Sequence, residues 1–556
     1  MRQESVLSVA TAATLLLLAV APPVSAGTGP ARRDTYPKNP DIDMLHYAFD
    51  LTLSDRTDVI RGVARIDARY LRAGHTGLRL DLVQRSDALD GRGMTVELVR
   101  MGEEELTFRH EGDQLFIDLP RSPAAGGRVQ VEVVYHGTPA TGLQIGRTKY
   151  GDRSFFSDNW PDRGRHWLPM VDHPYDKATS EMRITAPQRY QVISNGLVVE
   201  ETDLGDGNRV THWRQSVPIA TWLYVLGVAE FAVQHVDDFD GKSIQTWVFR
   251  QDRDAGFHDF AVPTKQALAF YSDRIGPFSY EKLANVQSNS VAGGMEAASA
   301  ILYSANSVTG DRDRRWQLVI VHEIAHQWFG NAVTESDWDD VWLSEGFATY
   351  FTLLFREYAS GRDDFVRGLL DARDRVFDFY AERGDYRVVH DNLDDMSQVT
   401  TGMQYQKGAW VLHMLRELVG DDAFWAGVRA YYAHFRDGNA TTADFRRFMQ
   451  EASGRDLEWF FRQWLYQGGN VELEGSWSPA PAGVRVRLRQ IQDRYRFRFP
   501  VDVAVELAGG SVERRTVWLS ESGAFDEVLA VDGEVTGVTL DPDTRLLARW
   551  TMGREP

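Results

Sequence analysis

The sequence contains no cysteine among its 556 residues. Disulfide bonds, nucleophilic cysteines and thiolate metal ligands are therefore excluded, and any metal site must use histidine and carboxylate side chains. The chain also lacks a Gly-x-Ser-x-Gly elbow, a phosphate-binding loop of the right spacing and a dinucleotide-binding glycine fingerprint. These absences give no support to an elbow-serine hydrolase or to a nucleotide-binding protein.

Positively charged residues are fewer than negatively charged ones. Lysine and arginine number 61 against 80 aspartates and glutamates, which gives a formal net charge of -19. This balance disfavours nucleic acid and anionic membrane surfaces as partners, and its simplest role is solubility. The length exceeds what one hydrophobic core supports, so we expect two to four domains.

Long apolar runs are absent except near the N-terminus. Residues 6–21 form an apolar run after Arg2, and Val24-Ser25-Ala26 offers a small-residue cleavage site. This pattern predicts a signal peptide at residues 1–26 and export to the periplasm or the medium. The alternative is an uncleaved N-terminal anchor. We expect no membrane span in the mature chain.

Hydrophobic periodicity divides the rest of the chain. Residues 27–40 are rich in glycine and proline and read as a linker. Apolar and polar residues alternate over 41–232 and again over 471–556, which predicts an N-terminal β domain and a C-terminal β-sandwich. Helical periodicity dominates 233–470. The predicted fold is thus multidomain α+β with a mostly helical central domain.

The central domain contains a histidine pair with metal-ligand spacing. His322 and His326 are four residues apart, so on a helix they project from the same face, with Glu323 beside them. Glu345 follows on a second predicted helix. We predict that His322, His326 and Glu345 ligate one Zn²⁺ ion. The alternative is a pair of hydrogen-bonded histidines on a core helix.

A zinc site of this kind predicts hydrolysis. The ion would activate a water as the nucleophile, and Glu323 would act as general base before passing the proton to the leaving amine. Asp339 and Asp340 precede the second helix. Either could fix a ligand histidine through its outer N–H, or both could be turn and cap residues.

Two segments carry a family resemblance. Residues 322–334 read His-Glu-Ile-Ala-His-Gln-Trp-Phe-Gly-Asn-Ala-Val-Thr, and residues 338–348 read Trp-Asp-Asp-Val-Trp-Leu-Ser-Glu-Gly-Phe-Ala. Together they resemble the gluzincin zinc aminopeptidases, which include aminopeptidase N and the leukotriene epoxide hydrolase. The resemblance implies a saddle-like β domain, a thermolysin-like catalytic domain and a β-sandwich. We expect a short member without the large C-terminal helical domain of longer members.

The resemblance also implies how the substrate is held. Gly293-Gly294-Met295-Glu296 matches the family strand whose glutamate binds the free α-amine, although Ala297 replaces the usual asparagine. Gly293, Gly294 and Glu296 are therefore predicted to bind substrate. The alternative for Glu296 is an ordinary strand carboxylate.

Two further residues gain roles from the resemblance. Asp158 falls where many members have a glutamine that contacts the amine, and its alternative is a turn residue. Tyr405, in a Tyr-x-Lys-Gly pattern, matches the family tyrosine that donates to the developing oxyanion. Without the resemblance, Tyr405 would be a core aromatic.

These observations predict a zinc aminopeptidase acting on peptides with a free N-terminus. Three alternatives remain: a zinc endopeptidase, an epoxide hydrolase and a non-catalytic peptide-binding protein. Retention of Glu296 disfavours the first, and retention of Glu323 with all three ligands disfavours the last. The sequence does not determine the side-chain preference or the oligomeric state.

Overall fold

A computed structural model describes residues 34–389 and 396–555. The predicted signal peptide at 1–26 and linker residues 27–33 lie outside the described residues, so export stays a prediction. Residues 34–39 form neither helix nor strand. They lie against the β domain, where the ring of Tyr36 stacks on that of His173 at a centroid distance of 4.5 Å.

The first part of the described chain is built from strands. Apolar side chains alternate along them, and Tyr47, Phe49 and Leu51 are at most 1% exposed, because every second residue of a strand points to the same face. The strands are β1 (Ile42–Thr52), β2 (Ile60–Tyr70), β3 (Gly77–Asp81), β4 (Gly93–Met101), β5 (Glu104–Glu105), β6 (Phe108–Glu111), β7 (Gln114–Asp118), β8 (Arg128–Thr138), β9 (Leu143–Arg147), β10 (Arg153–Ser157), β11 (Lys177–Pro187), β12 (Gln191–Ser194), β13 (Leu197–Asp203), β14 (Asn208–Ala220) and β15 (Leu226–Ala229).

These strands form three sheets among the described residues. The largest has the order β13-β14-β11-β1-β2-β8-β4-β5, and the others are β12-β15-β10-β9 and β3-β7-β6. In the large sheet β1 pairs antiparallel with β2 and parallel with β11, so Tyr47 lies between Ile66 and Ser180. This part of the chain is the predicted β domain.

The middle part combines a small sheet with helices. The sheet order is β16-β17-β18-β20-β19, and the predicted boundary at residue 233 falls inside β16. The elements are β16 (Phe231–Phe239), β17 (Lys242–Phe249), α1 (Arg253–Arg274), β18 (Lys282–Ser288), β19 (Gly294–Met295), β20 (Ala300–Ser304), α2 (Arg314–His326), β21 (Val333–Glu335), α3 (Trp342–Ser360), α4 (Arg362–Glu382), α5 (Gly408–Val419), α6 (Asp421–Phe435), β22 (Gly438–Ala440), α7 (Thr442–Ser453) and α8 (Glu458–Leu465).

The last part is again β. Its strands are β23 (Val471–Ala480), β24 (Gly483–Gln490), β25 (Phe499–Leu507), β26 (Val512–Leu519), β27 (Ala524–Ala530), β28 (Val535–Leu540) and β29 (Ala548–Arg554). They form two sheets, β27-β24-β23-β29 and β26-β25-β28. The predicted α+β class is confirmed, with a β-rich start, a helical middle and C-terminal sheets.

Within the described ranges, no helix combines the length and the apolar composition that crossing a bilayer requires.

Candidate metal centre

Helix α2 presents the histidine pair. Asp313 caps it by accepting hydrogen bonds from the backbone N–H groups of Arg315 and Trp316, which satisfies donors that would otherwise be unpaired. The helix ends at His326, four residues before Gly330 adopts a φ of +106°. Since four residues make just over one helical turn, His322 and His326 face the same way, and their Nε2 atoms are 3.2 Å apart.

Helix α3 completes a triangle of ligand atoms. Glu345 Oε2 lies 3.5 Å from His322 Nε2 and 3.2 Å from His326 Nε2. A tetrahedral Zn²⁺ with bonds of about 2.0–2.1 Å holds its ligand atoms about 3.3–3.4 Å apart. The three side chains therefore fit a zinc ion with a fourth position left open.

The charge around this triangle also fits a cation. Glu296, Glu323 and Glu345 are all buried near His326. Burial alone would lower the pKa of His326, but Glu296 and Glu345 raise it to about 10. Burial raises the pKa of Glu323 well above its ordinary range, with the Glu296 charge adding to it. The histidines oppose burial at Glu345 and lower its pKa to about 2. An excess of buried carboxylates is stabilised by a divalent ion.

The outer nitrogen of His326 has partners that the sequence did not predict. Nδ1 lies 3.2 Å from the Phe329 carbonyl oxygen and 3.1 Å from Ser344 Oγ. A carbonyl only accepts, so Nδ1 carries the proton and Nε2 offers its lone pair to a metal. A Cβ on Gly330 would lie 2.2 Å from Ser344 Oγ, so glycine is required for this approach.

The prediction that Asp339 or Asp340 orients a ligand histidine is wrong for His326. Asp340 instead accepts hydrogen bonds from the backbone N–H and the hydroxyl of Thr442, at the start of α7. The ring of His322 is bonded to the backbone of Ala348. His326 is thus oriented by a carbonyl that follows α2 and by the Ser344 hydroxyl of α3, and His322 by the backbone of Ala348 in α3.

Glu323 lies directly against β19. A Cβ placed on Gly294 would lie 2.2–2.4 Å from three side-chain atoms of Glu323, which no real contact tolerates. Gly294 is therefore needed to let the predicted base approach the triangle. A Cβ on Gly293 would meet nothing within 4 Å, so that glycine has no equivalent steric role.

Glu296 follows β19 at the edge of the five-stranded sheet. Its Oε1 lies 4.0 Å from His326 Nε2, and this buried oxygen has no hydrogen-bond partner among the described residues. Burial raises the pKa of Glu296 to about 7. Its backbone carbonyl accepts hydrogen bonds from Gln327 Nε2 at 3.0 Å and Asn331 Nδ2 at 2.6 Å. The segment at Glu296 and Ala297 is therefore held by the side-chain amides of Gln327 and Asn331, which follow the histidine pair in the sequence.

Asp158 follows β10 and is placed near Glu296. Its carboxylate forms an ion pair with Arg163 at 2.7 Å, while burial raises its pKa. Its charge also contributes to the raised pKa of Glu296. Asp158 is therefore within electrostatic range of the predicted amine site, with its own charge partly balanced by Arg163.

Tyr405 reaches the triangle from a π turn at Met403–Lys407. Its hydroxyl donates a 2.6 Å hydrogen bond to Glu345 Oε1. Burial, together with the Glu345 charge, raises the pKa of this phenol well above its ordinary range. A Cβ on Gly346 would lie 3.0 Å from Gly408 Cα, so two glycines allow α3 to approach this turn.

The structure thus brings Glu296, Glu323, Glu345 and Tyr405 together with the two histidines. Asp158 is linked to them only through its charge near Glu296, and Gly293 makes no defining contact. Sequence reasoning missed three positioning residues: Gln327, Asn331 and Ser344. One signal was available, because Gln327 is four residues after Glu323 and shares its helix face. Nothing in the sequence pointed to Ser344, since its role depends on how α2 and α3 pack.

Comparison with known proteins gives two family matches. The peptidase M1 N-terminal domain matches residues 44–223, and the peptidase family M1 domain matches residues 261–464. Among curated proteins, aminopeptidase A of Gloydius brevicauda is 26% identical over 464 residues, covering 78% of this chain and 47% of the relative. Glutamyl aminopeptidase of Bos taurus is 30% identical over 327 residues, covering 56% and 34%.

A third relative also matches more than half of this chain. Probable aminopeptidase 2 of Sulfurisphaera tokodaii is 24% identical over 402 residues, which is 68% of this chain and 50% of the relative. The chain thus spans half or less of the length of these relatives. The two M1 matches follow each other in the order of the β domain and the metal-binding region described above. The chain therefore belongs to peptidase family M1.

Proposed function

We propose that this protein is a zinc-dependent aminopeptidase that hydrolyses the first peptide bond of peptides with a free N-terminus. One observation carries the proposal. The buried Oε1 of Glu296, which has no hydrogen-bond partner among the described residues, lies 4.0 Å from the ligand triangle at His326 Nε2. A carboxylate in that position pairs with an ammonium group and so restricts cleavage to the first residue. The names of the matched relatives support the same activity.

His322, His326 and Glu345 would hold the ion. When bound, Zn²⁺ would supply Lewis acidity at the scissile carbonyl and lower the pKa of a water to about 7. Glu323 lies beside this position and accepts the proton of the attacking water. Because burial raises the pKa of Glu323, the protonated carboxyl is stable enough to donate that proton to the leaving nitrogen.

Tyr405 and Glu296 place the substrate around this reaction. The Tyr405 hydroxyl sits at the triangle through its bond to Glu345 and can turn its proton to the carbonyl oxygen that becomes negative. Loss of one such donor costs about 10²–10³ in rate. Glu296 fixes the amine on the other side, so the first peptide bond is the one presented to Glu323.

The test uses three substrate classes. The purified protein would be given aminoacyl 4-nitroanilides, their N-acetylated analogues and internally quenched peptides, with and without a zinc chelator. We expect cleavage of the free amines only, its loss on chelation and its recovery with added Zn²⁺. Cleavage of blocked peptides would indicate an endopeptidase, and activity insensitive to chelation would contradict the zinc mechanism.

The same assay, together with a measurement of zinc content, tests whether the protein is a non-catalytic peptide-binding protein. If no free-amine substrate is cleaved while the zinc content is one ion per chain, the aminopeptidase proposal fails. Hydrolysis of an epoxide in preference to every peptide would indicate the remaining alternative.

A further inference from the structure

A cavity of about 450 Å³ opens beside the ligand triangle. Its walls come from α2, α3, α4 and the turn that carries Tyr405. On the triangle side it is lined by His322, Glu323 and Tyr405. A cavity of this size falls in the range of small-molecule sites, about 300–1,000 Å³.

The position of this cavity relative to Glu296 indicates which part of the substrate it would hold. Glu296 lies near His326, and neither residue lines the cavity, whereas His322 does. The cavity therefore opens on the side of the triangle away from the predicted amine site. If Glu296 holds the first residue, the part of the substrate beyond the scissile bond points into this cavity.

The cavity wall is rich in arginine. Arg315, Arg356 and Arg375 line it, against Asp371 and Glu323. Arg356 is held by Asp364 at 3.0 Å and 3.2 Å. Arg315 and Arg375 are thus the two arginines of this wall that Asp364 does not hold, in a chain whose formal net charge is -19.

Two of these arginines have no ion-pair partner in the part of the chain that the structure describes. Arg315 lies over the ring of Trp316 at 5.0 Å, and neither it nor Arg375 forms an ion pair with any residue in the described ranges. Both side chains are exposed to the cavity mouth. Guanidinium groups of this kind bind carboxylates through paired hydrogen bonds.

We propose that this cavity binds the leaving fragment and that Arg315 and Arg375 bind a carboxylate on that fragment. Arg315 precedes His322 by seven residues, which is about 10.5 Å along a helix. An extended peptide covers that distance in about three residues. The inference rests on the proposed aminopeptidase function and names its substrate class: short peptides with a carboxylate two or three residues beyond the scissile bond.

The test compares matched peptides. Alanine peptides of two to six residues would be prepared with a free C-terminal carboxylate or a C-terminal amide, and kcat/KM would be measured for each. For the wild type we expect the acid to exceed the amide by about fivefold to tenfold at three or four residues, with a smaller ratio in longer peptides and at high salt. An amidated peptide with aspartate after the scissile bond separates a side-chain carboxylate from a terminal one.

Variants assign the effect to the arginines. The double variant Arg315→Gln with Arg375→Gln is expected to bring the acid-to-amide ratio close to one. Arg367→Gln is the matched control, because Arg367 lies on the same helix as Arg375, is 67% exposed and does not line the cavity. The control should keep the wild-type ratio, and circular dichroism would verify that each variant is folded.

Each possible result of these measurements either supports or overturns the carboxylate site. A wild-type ratio of one at every length, or an unchanged ratio in the double variant, overturns it while leaving the aminopeptidase proposal intact if 4-nitroanilides are cleaved. If no free amine is cleaved, the aminopeptidase proposal fails separately. Calorimetric titration of the same acid and amide tripeptides then tests the cavity, and equal affinities overturn the carboxylate site.

Discussion

The His326 side of the ligand triangle is acidic, whereas the His322 side carries arginines. Glu296 and Asp158 lie on the first side, and Arg315 and Arg375 line the cavity on the second. A free peptide carries the complementary charges, with an ammonium group at its N-terminus and a carboxylate at its C-terminus. In the proposed function, these charges orient a short peptide across Glu323, which lies between the two sides.

The largest effect is expected from a substitution of Glu323, which lies between the acidic side and the arginine side and serves both equally. Glu323→Gln keeps the shape of the side chain but removes the proton acceptor, so kcat should fall about 10²–10⁴-fold. Acid and amide peptides should lose activity alike, and metal analysis should show an unchanged zinc content. Glu382→Gln, at the exposed end of α4, is the control. Full activity in Glu323→Gln would refute the mechanism.

The close approach of Glu323 to Gly294 in β19 can be disrupted by adding one methyl group. In Gly294→Ala the new Cβ would lie 2.2 Å from Glu323 Oε1, so the base must move. A displacement of about 1 Å can cost about 10²-fold in rate, and kcat should fall by this order. Gly293→Ala, which meets no neighbouring atom within 4 Å, should show a smaller decrease. Equal losses in the two variants would argue against the steric role of Gly294.

The acidic side alone is tested by Glu296→Gln. Loss of a charged hydrogen-bond partner costs about 1.5–3 kcal/mol, so kcat/KM for free amines should fall about 10- to 100-fold, with much of the change in KM. The ratio between acid and amide peptides should persist, because it depends on the opposite side. A collapse of that ratio in Glu296→Gln would show that the two sides are not independent.

The smallest effect is expected at Asp158. Burial, with a contribution from the Asp158 charge, raises the pKa of Glu296 to about 7. Removing a negative charge favours ionisation of its neighbour, so Asp158→Asn should lower that pKa and extend the acid limb of the kcat/KM profile to lower pH. We expect a gain of about twofold to threefold near pH 6. Asp254→Asn, 91% exposed, should leave the limb in place, and a shift to higher pH would contradict this account.

Local sequence was sufficient for much of the fold. Helical periodicity predicted one helix at the histidine pair and a second at Glu345, and α2 and α3 confirm both, because each helix buries one face. Alternation predicted the two β regions for the same reason. The predicted boundary at residue 233 lies within β16, since a change from one sheet to the next leaves no mark in the alternation of apolar and polar residues.

Within the site, predictions failed where chain segments far apart in sequence meet. Asp339 and Asp340 were adjacent to the ligand helix and were plausible partners for a histidine, but Asp340 is occupied by Thr442. Ser344 approaches His326 instead, through space left by Gly330. Such choices depend on distances between elements, which a sequence pattern does not contain.

The sequence by itself determined the chemistry of the centre, because four-residue spacing on a helix places His322 and His326 on one face regardless of the surroundings. It also determined that no thiolate could replace them. Only the tertiary structure decided that Glu345 closes the triangle at 3.2–3.5 Å and that Gly294 admits Glu323. The arginines of α2 and α4 likewise meet at one cavity only after the helices pack, since helix packing rather than local spacing brings residues 60 positions apart to the same wall.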